Sequence, residues 1–174
     1  VAHFSEDAPA VDVYVNGDAV LEGVEYPVMS DFLELDAGTY TVDVVPAGEA
    51  QDAAVITQGI TLEAGEVYTA AAIGLVSRPD IAPLELVLLE NDYSDIAPGE
   101  TRFTVFHASP GAPPVNLLVD DEIFVASLAY PNTLDDNDGQ VNFDVVGGTY
   151  DIQVVSAGQP DNVLIDLSGT DLTA

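Results

Sequence analysis

One stretch of sequence occurs twice in this chain, and this internal repeat constrains the fold more than any other feature. Residues His3–Val15 align without a gap with residues His107–Val119. The alignment extends through Tyr26 and Tyr130, and after an insertion in the second copy it resumes at a Gly-Thr-Tyr tripeptide that both copies share. A chain of 174 residues is long enough for two small domains. The repeat therefore predicts two tandem copies of one domain.

Each copy has the pattern of short β-strands with one buried face. Val11, Val13 and Val15 alternate with polar or aromatic residues, which is the period of a strand. Asn16-Gly17 lies between two apolar runs and predicts a hairpin turn. The chain is therefore predicted to be all-β, with two immunoglobulin-like β-sandwich domains in tandem. In the first copy we expect strands near residues 1–5, 11–15, 18–22, 29–35, 39–45, 53–62, 66–75 and 84–90.

The second copy is shorter than the first. The first copy continues after Leu62 with two apolar segments, Gly65–Gly74 and Leu84–Leu89, whereas the second copy ends at Ala174. By internal homology the second domain lacks its last two strands. A sandwich short of strands exposes a core groove and unpaired backbone groups. Either a neighbouring chain supplies a strand by β-augmentation, or the sequence is a piece of a longer chain.

A short stretch containing a proline separates the two copies. Arg78 and Arg102 lie on either side of it, and each is expected to pair with a carboxylate, so that one or both pin the domain junction. Ordinary surface ion pairs are the alternative interpretation. We assign residues 1–94 to the first β-sandwich, residues 95–100 to the linker and residues 101–174 to the second, incomplete β-sandwich.

The charge of the chain excludes several classes of partner. There are 31 acidic residues against two basic ones, which gives a formal net charge of -29. Nucleic acid and anionic membrane surfaces are excluded because both bind through clustered Lys and Arg, and no apolar run is long enough to insert into a membrane. Self-repulsion on this scale is screened in about 1 M salt, where the Debye length is roughly 3 Å. The composition therefore favours a halophilic or cation-rich setting over simple solubility.

The insertion in the second copy contains the candidate metal ligands. Asp136 and Asp138 belong to the run Asp-Asp-Asn-Asp-Gly, and Ca²⁺ binds six to eight oxygens of this kind. Calcium is thus the cofactor that this loop would hold, and no other cofactor is predicted. No glutamate follows at the distance that a calcium loop requires, so a solvated acidic loop is the alternative interpretation.

A catalytic site is not predicted. His3 and His107 are each followed by a serine two residues later, and Asp7 lies near the first pair, which suggests the composition of a hydrolytic triad. Asp7 aligns with Gly111, however, and the sequence contains neither a cysteine nor a Gly-x-Ser-x-Gly elbow. We interpret the histidines as fixing the turn before Ala-Pro by a hydrogen bond.

The repeated motif resembles a known family. Its elements are His-x-Ser-x-x-Ala-Pro-x-Val-Asp-Val-Tyr-Val at residues 3–15, then a tyrosine, then Ala-Gly-Thr-Tyr, then Leu-Glu-Ala-Gly-x-x-Tyr-Thr. These are similar to the prokaryotic domain of unknown function 4397 (DUF4397) family, which occurs as tandem repeats in secreted or surface proteins. Departures from the family pattern are Phe4, Asn116 and the insertion at residues 132–140. The resemblance implies an extracellular β-sandwich and no reaction.

Together these features predict a non-catalytic extracellular structural protein on the surface of a prokaryotic cell. The incomplete second sandwich indicates a subunit of a fibre, filament or layer that assembles by β-strand complementation. Its partners would be identical copies in a homopolymer or the β-domains of other surface proteins. The alternative is an adhesion or ligand-binding module of a larger secreted or surface protein.

Overall fold

The computed structural model of the protein describes residues 1–131 and 139–172. Within these ranges the chain forms strands, turns and one 3₁₀ helix at Gln51–Ala53, and it contains no α-helix. It divides into two compact units, Val1–Asp92 and Tyr93–Ala174, which we call unit 1 and unit 2. Each unit contains two sheets. The predicted all-β class with β-sandwich domains is therefore confirmed.

Unit 1 contains a four-stranded and a three-stranded sheet. The four-stranded sheet is antiparallel with the order β3-β2-β4-β5, and the three-stranded sheet has the order β1-β6-β7. In the second sheet β1 runs parallel to β6, whereas β6 and β7 are antiparallel. The strands are β1 (Ala2–His3), β2 (Val11–Val15), β3 (Asp18–Val24), β4 (Gly38–Pro46), β5 (Ile56–Leu62), β6 (Val67–Ile73) and β7 (Glu85–Asn91).

A core of aliphatic side chains joins the two sheets of unit 1. The strand period places alternate residues of the four-stranded sheet on its inner face. There they form one buried cluster with Ala72 of β6 and Leu86 of β7. The strands β6 and β7 therefore complete this core. The other members of the cluster are Val11, Val13, Val24, Val42, Val44, Ile56 and Ile60.

The hairpin predicted at Asn16-Gly17 is confirmed. Both residues have positive φ angles, 51° and 92°, and they connect β2 directly to β3. Glycine adopts such angles without the steric cost that a Cβ atom brings, and asparagine tolerates them. Asn16 also holds β4, because its backbone N–H donates to the Thr41 carbonyl and its side-chain oxygen accepts from the Thr41 N–H.

Unit 2 has a matching four-stranded sheet but a smaller second sheet. Its four-stranded sheet has the order β10-β9-β12-β13, and β8 pairs with β11 in a two-stranded antiparallel sheet. The described residues of unit 2 contain no counterpart of β6 and β7. The strands are β8 (Glu100–Phe106), β9 (Val115–Val119), β10 (Glu122–Leu128), β11 (Gln140–Val146), β12 (Gly148–Ser156) and β13 (Gln159–Leu172).

The strand predicted near residues 29–35 does not form. Only Met29 is bridged, to Ala2 of β1, and the side chains of Phe32, Leu33 and Leu35 are exposed. The aligned segment of unit 2 is β11, which pairs with β8 along its whole length. In unit 1 the neighbouring strand β1 contains two residues. The N–H of Ser30 donates to the Val1 carbonyl at 2.9 Å, and among the described residues no strand pairs with residues 31–35.

Candidate functional site

An apolar groove lies between the two sheets of unit 2. It encloses about 320 Å³, and we call it the unit 2 groove. Strands β9, β12 and β13 provide one side and strands β8 and β11 the other. The lining residues are Phe103, Thr104, Val105, Phe106, Leu117, Val119, Phe143, Val145, Tyr150, Ile152, Val154, Leu167, Thr170 and Leu172.

Unit 1 shows what covers the equivalent surface. Leu117 and Ile152 of the groove align with Val13 and Val42, which belong to the buried cluster that β6 and β7 complete. The same inward positions that belong to the core of unit 1 lie on the floor of the groove in unit 2, where Leu117 and Ile152 are also buried. The volume and mostly apolar lining of this groove fall in the range of binding clefts.

The strand β8 has an open edge along this groove. The N–H of His107 donates to the Gly139 carbonyl at 2.8 Å, and the N–H of Gly147 donates to the Gly99 carbonyl at 2.7 Å. Antiparallel pairing alternates, so odd-numbered residues of β8 direct their backbone groups towards β11. The backbone groups of Thr104 therefore point to the opposite edge, beside which the described residues place no strand.

In unit 1 the equivalent edge is occupied by β6. The N–H of Phe4 donates to the Ala72 carbonyl at 2.8 Å. Phe4 aligns with Ala108, whose N–H makes no such backbone bond within the described part of the chain. The open edge of β8 is thus the position at which unit 1 adds a parallel strand.

The strand β13 extends the groove with an exposed apolar stripe. Its register against β12 shifts between Tyr150 and Ile152, which places Leu167 opposite Ile152 on the inner face. Leu167 and Ile165 are each 51% exposed. In unit 1, β5 pairs with β4 without a shift, and its inner residue Ile60 is only 8% exposed. The stripe on β13 is therefore apolar surface that unit 2 leaves uncovered.

Aromatic rings form the opposite wall. Phe103 of β8 and Phe143 of β11 are cross-strand partners, and their rings stack with centroids 5.6 Å apart. Phe124 of β10 contacts Phe143 with a centroid distance of 4.6 Å. Such ring pairs contribute more to stability than the burial of their surface area alone. They therefore stabilise the pairing of β8 with β11 on this side of the groove.

Arg102 reinforces the same two strands from their other face. Its guanidinium donates to both carboxylate oxygens of Asp144, at 2.6 and 2.7 Å, and to the Ser94 hydroxyl at 3.0 Å. The expected pairing of Arg102 with a carboxylate is confirmed. Bidentate pairs of this kind are geometrically specific. Arg78 contributes its backbone carbonyl, which accepts from the N–H groups of Ile81 and Ala82.

The histidines bind backbone groups. His3 is 1% exposed, its Nε2–H donates to the Pro9 carbonyl at 3.0 Å, and its Nδ1 accepts from the Ser5 N–H at 3.3 Å. In unit 2, Nε2 of His107 lies 3.3 Å from the Pro113 carbonyl. Both ring nitrogens of His3 therefore fix the turn that precedes Val11, which is the role predicted for them.

Asp7 does not join His3 in a triad. Its carboxylate accepts hydrogen bonds from the Ser77 hydroxyl and from the backbone N–H groups of Ser77 and Val76. The Ser77 side chain, followed by the two backbone N–H groups, holds the pKa of Asp7 below its usual value. Asp7 thus fastens the loop before β7 to the start of unit 1.

A buried carboxylate, that of Asp12, stabilises the four-stranded sheet of unit 1. Asp12 accepts from the N–H of Gly48 at 3.0 Å and from the N–H of Gly23 at 2.7 Å. These two bonds, that of Gly48 first, hold the pKa of Asp12 below its usual value. Asn116 has the same place in unit 2 and accepts from the N–H of Ser127 at 2.9 Å.

The candidate calcium ligands Asp136 and Asp138 lie outside the described residues. Within residues 1–131 and 139–172, no three His, Asp or Glu side chains are grouped as a metal site requires. Calcium binding at the insertion stays a prediction of the sequence.

Sequence analysis predicted an exposed groove but not its composition. The aromatic wall of Phe103 and Phe143 and the stripe on β13 were both missed. Phe103 and Phe143 alternate with polar residues in the sequence, so their shared face could have been inferred. The stripe on β13 depends on a register shift, which the sequence pattern does not reveal.

Comparison with known proteins places the chain in a family. The family model of DUF4397, described as a domain of unknown function, matches residues 1–118, which span unit 1, β8 and most of β9. No curated protein and no solved structure matches the chain significantly. Since the family model covers more than half of its length, this chain belongs to the DUF4397 family.

Proposed function

We propose that the chain is a non-catalytic structural protein of a prokaryotic cell surface. It would be the subunit of a fibre, filament or layer, in which unit 2 accepts a β-strand from a neighbouring subunit. In this proposal both units are immunoglobulin-like modules whose role is to pack and to associate.

The observation that carries the proposal is the unit 2 groove with the open edge of β8 beside it. An apolar surface and a free strand edge together are what β-augmentation requires, because the edge supplies backbone hydrogen bonds and the groove receives alternate side chains. Each subunit would donate a strand from one surface and accept a strand in the groove of unit 2, so the two contacting surfaces would differ. Such head-to-tail contacts form open filaments when the rotation does not close a ring.

The charge of the chain supports an environment rich in salt. A net charge of -29 would oppose contact between subunits at low ionic strength. Screening in concentrated salt removes most of this repulsion. None of the helices that the structure describes has the length and apolar character needed to cross a membrane.

Electron microscopy of the protein isolated from its source cells in their own salt tests the proposal. We expect regular fibres or layers. The variant Thr104→Pro should abolish them, since proline removes the N–H that points to the open edge and leaves the β8–β11 bonds intact.

Asn142→Pro is the matched control. Asn142 lies opposite Thr104, and its backbone groups point to the outer edge of β11. Both variants lose the side-chain bond between Thr104 and Asn142, so only the blocked edge differs. Isolated particles from wild-type cells, or fibres that persist with Thr104→Pro, would favour the adhesion or ligand-binding alternative.

A further inference from the structure

We infer that the free edge of β5 is an interface between two copies of this chain, in which the two β5 strands pair in antiparallel orientation about a twofold axis at Gly59. The four-stranded sheets of two copies of unit 1 would then join into one continuous sheet. The inference goes beyond the proposed function, because it uses neither the unit 2 groove nor the edge of β8.

The bonds of β4 show which backbone groups of β5 point away from the sheet. The N–H of Asn16 donates to the carbonyl of Thr41, which lies opposite it, at 2.8 Å. Antiparallel pairing alternates, so odd-numbered residues of β4 direct their backbone groups towards β2 and even-numbered residues towards β5. By the register of β4 with β5, the backbone groups of Thr57, Gly59 and Thr61 therefore point to the free edge. Among the described residues, no strand pairs with that edge.

The strand order of unit 1 makes β5 an edge strand. All four strands of its sheet, β2 to β5, lie between residues 11 and 62. The chain continues after β5 with β6 and β7, and both of these strands belong to the other sheet of the unit. The free edge therefore does not depend on where the sequence begins or ends.

The strand β5 lacks the features that keep edge strands apart. Natural edge strands avoid pairing through charged side chains, proline or bulges. β5 contains neither a charged residue nor a proline, and it pairs with β4 without a register shift. The opposite edge strand of the same sheet, β3, contains Asp18 and Glu22 and has two register shifts. In a chain with 31 acidic residues, a regular and uncharged edge indicates a strand that pairs.

The described part of unit 1 does not require a glycine at position 59. The φ angle of Gly59 is outside the left-handed region, and an added Cβ atom would meet no atom within 4 Å. Glycine in the interior of a strand lowers stability, because it has no side chain to pack and gains more entropy on unfolding. Such a glycine often marks a place where another backbone approaches closely. A second β5 strand at this edge would be that backbone.

The sequence of β5 is symmetric about Gly59. Thr57 and Thr61 lie two residues on either side of it, and Ile56 and Leu62 lie three residues on either side. Antiparallel pairing about a twofold axis places Gly59 opposite its own copy and Thr57 opposite Thr61 of the second copy, and it forms about six backbone hydrogen bonds. Opposed threonines are favourable cross-strand pairs. A partner of unrelated sequence would not require this symmetry, so the occupant is a second copy of the chain.

The acidic residues near β5 do not face one another in this register. The carboxylate of Asp43 is held within its own unit by the Thr57 hydroxyl and the Gln51 side-chain amide, each at 2.7 Å. Glu63, the first residue after β5, would lie opposite Val55 of the second copy. The net charge of -29 opposes association at low ionic strength, so the contact should form in concentrated salt.

Single cysteines test the register. The chain contains no cysteine, so each variant carries one thiol. In Gly59→Cys the two Cα atoms would lie about 5.5 Å apart, which a disulfide spans, and oxidation in concentrated salt should link the chains in pairs. In Thr61→Cys, on the same edge, the two cysteines would lie about 13 Å apart along the strand, four residues at roughly 3.3 Å each, and should not link. A mixture of Thr57→Cys and Thr61→Cys should link as mixed pairs. Equal linkage in Gly59→Cys and Thr61→Cys, no linkage in Gly59→Cys, or an unlinked mixture would overturn the inference.

Sedimentation in concentrated salt tests the contact without a covalent bond. Thr104→Pro blocks the edge of β8, so this protein should sediment as a dimer and not as a larger assembly. Adding Gly59→Pro removes the N–H that points to the free edge of β5, keeps the bonds to β4 and should shift the mass to that of one chain. Gly59→Ala is the matched control, because it keeps the N–H and should stay dimeric. A dimer that persists with Gly59→Pro, or a single-chain mass for Thr104→Pro alone, would contradict the contact.

The outcomes separate this contact from the filament proposal. If Gly59→Cys links but microscopy of source material finds no fibres or layers, the β5 contact holds and the filament proposal fails. If fibres form but Gly59→Cys does not link, the filament proposal holds and the β5 contact is wrong.

Discussion

Asp12 and Asn116 accept equivalent hydrogen bonds in the two units. Asp12 takes the N–H of Gly23 at 2.7 Å, and Asn116 takes the N–H of Ser127 at 2.9 Å. Both donors have positive φ angles, 65° and 55°, and lie where β3 and β10 depart from regular pairing. A side-chain oxygen at the same aligned position thus accepts the N–H at the irregular pairing of each unit. The acceptor is a titratable carboxylate in unit 1 and an amide, which does not titrate, in unit 2.

The first prediction concerns acid stability. The pKa of Asp12 is lowered in the folded state by the N–H groups of Gly48 and Gly23, so its contribution to stability is present above the unfolded value of about 3.9. That contribution is lost as the pH falls through the folded pKa. In Asp12→Asn, the melting temperature should be lower near neutral pH and should fall less steeply below about pH 4.

Thermal unfolding followed by circular dichroism from neutral pH to pH 2 measures this difference. Asn116→Asp is the reciprocal variant and should make the melting temperature fall more steeply at acid pH. If the melting temperatures of wild type and Asp12→Asn fell in parallel across the acid range, the hydrogen bonds to Asp12 would not depend on its ionisation, contrary to the prediction.

The second prediction concerns Ser127. A residue with a Cβ atom is strained in the left-handed region by about 1–2 kcal/mol, whereas glycine is not. Ser127→Gly should therefore raise the free energy of unfolding by about 1 kcal/mol or less, since glycine also gains more entropy in the unfolded chain.

The control is Gly23→Ala, at the equivalent place in unit 1. No atom lies within 4 Å of the added Cβ, so its cost of about 1 kcal/mol would reflect backbone conformation alone. Urea unfolding of both variants measures the two changes. If Gly23→Ala left the free energy of unfolding unchanged, the positive φ angle of residue 23 would be contradicted.

Some strands could be predicted from local pattern, and others depended on distant partners. The alternation of Val11, Val13 and Val15 predicted β2 because its inner face is buried by residues that the chain itself provides. Phe32, Leu33 and Leu35 are as apolar as many strand residues but remain exposed, because a strand also needs a neighbour with which to pair.

The groove was predicted by counting strands, but its lining was not. Leu167 aligns with Thr57, whose hydroxyl donates to Asp43 in unit 1. An alignment would therefore place Leu167 away from the core. The register shift between Tyr150 and Ile152 turns it inward instead. A shift of one residue exchanges the two faces of a strand, which the internal repeat could not reveal.

The third prediction compares a covered and an uncovered leucine. Leu86 is 4% exposed in the core of unit 1, and Leu86→Ala should lower the stability of that unit by about 2–5 kcal/mol. Leu167 lines the groove of unit 2 and is half exposed, so Leu167→Ala should cost about 0.5 kcal/mol or less. Denaturant unfolding measures both. A large cost for Leu167→Ala would mean that the groove is already filled.

The fourth prediction concerns the two histidines. His3→Ala removes two hydrogen bonds, leaves the N–H of Ser5 without its acceptor and opens a cavity, so it should cost about 2–4 kcal/mol. His107→Ala should cost clearly less, because its bond to the Pro113 carbonyl is longer, at 3.3 Å, and its Nδ1 has no partner in the described part of the chain. Equal losses of stability in the two variants would contradict the stronger hydrogen bonding of His3 in unit 1.

The fifth prediction concerns salt. Raising NaCl from 0.1 to 1 M shortens the Debye length from about 10 Å to about 3 Å. The repulsion among 31 acidic residues, which opposes the compact state, should fall accordingly. Each kcal/mol gained would raise the melting temperature by about 4–8 °C for a unit of this size. Differential scanning calorimetry measures the shift, with sucrose as the control because it acts through exclusion from the surface. A melting temperature that rises with sucrose but not with NaCl would show that charge repulsion does not limit stability and would remove the main support for a salt-rich environment.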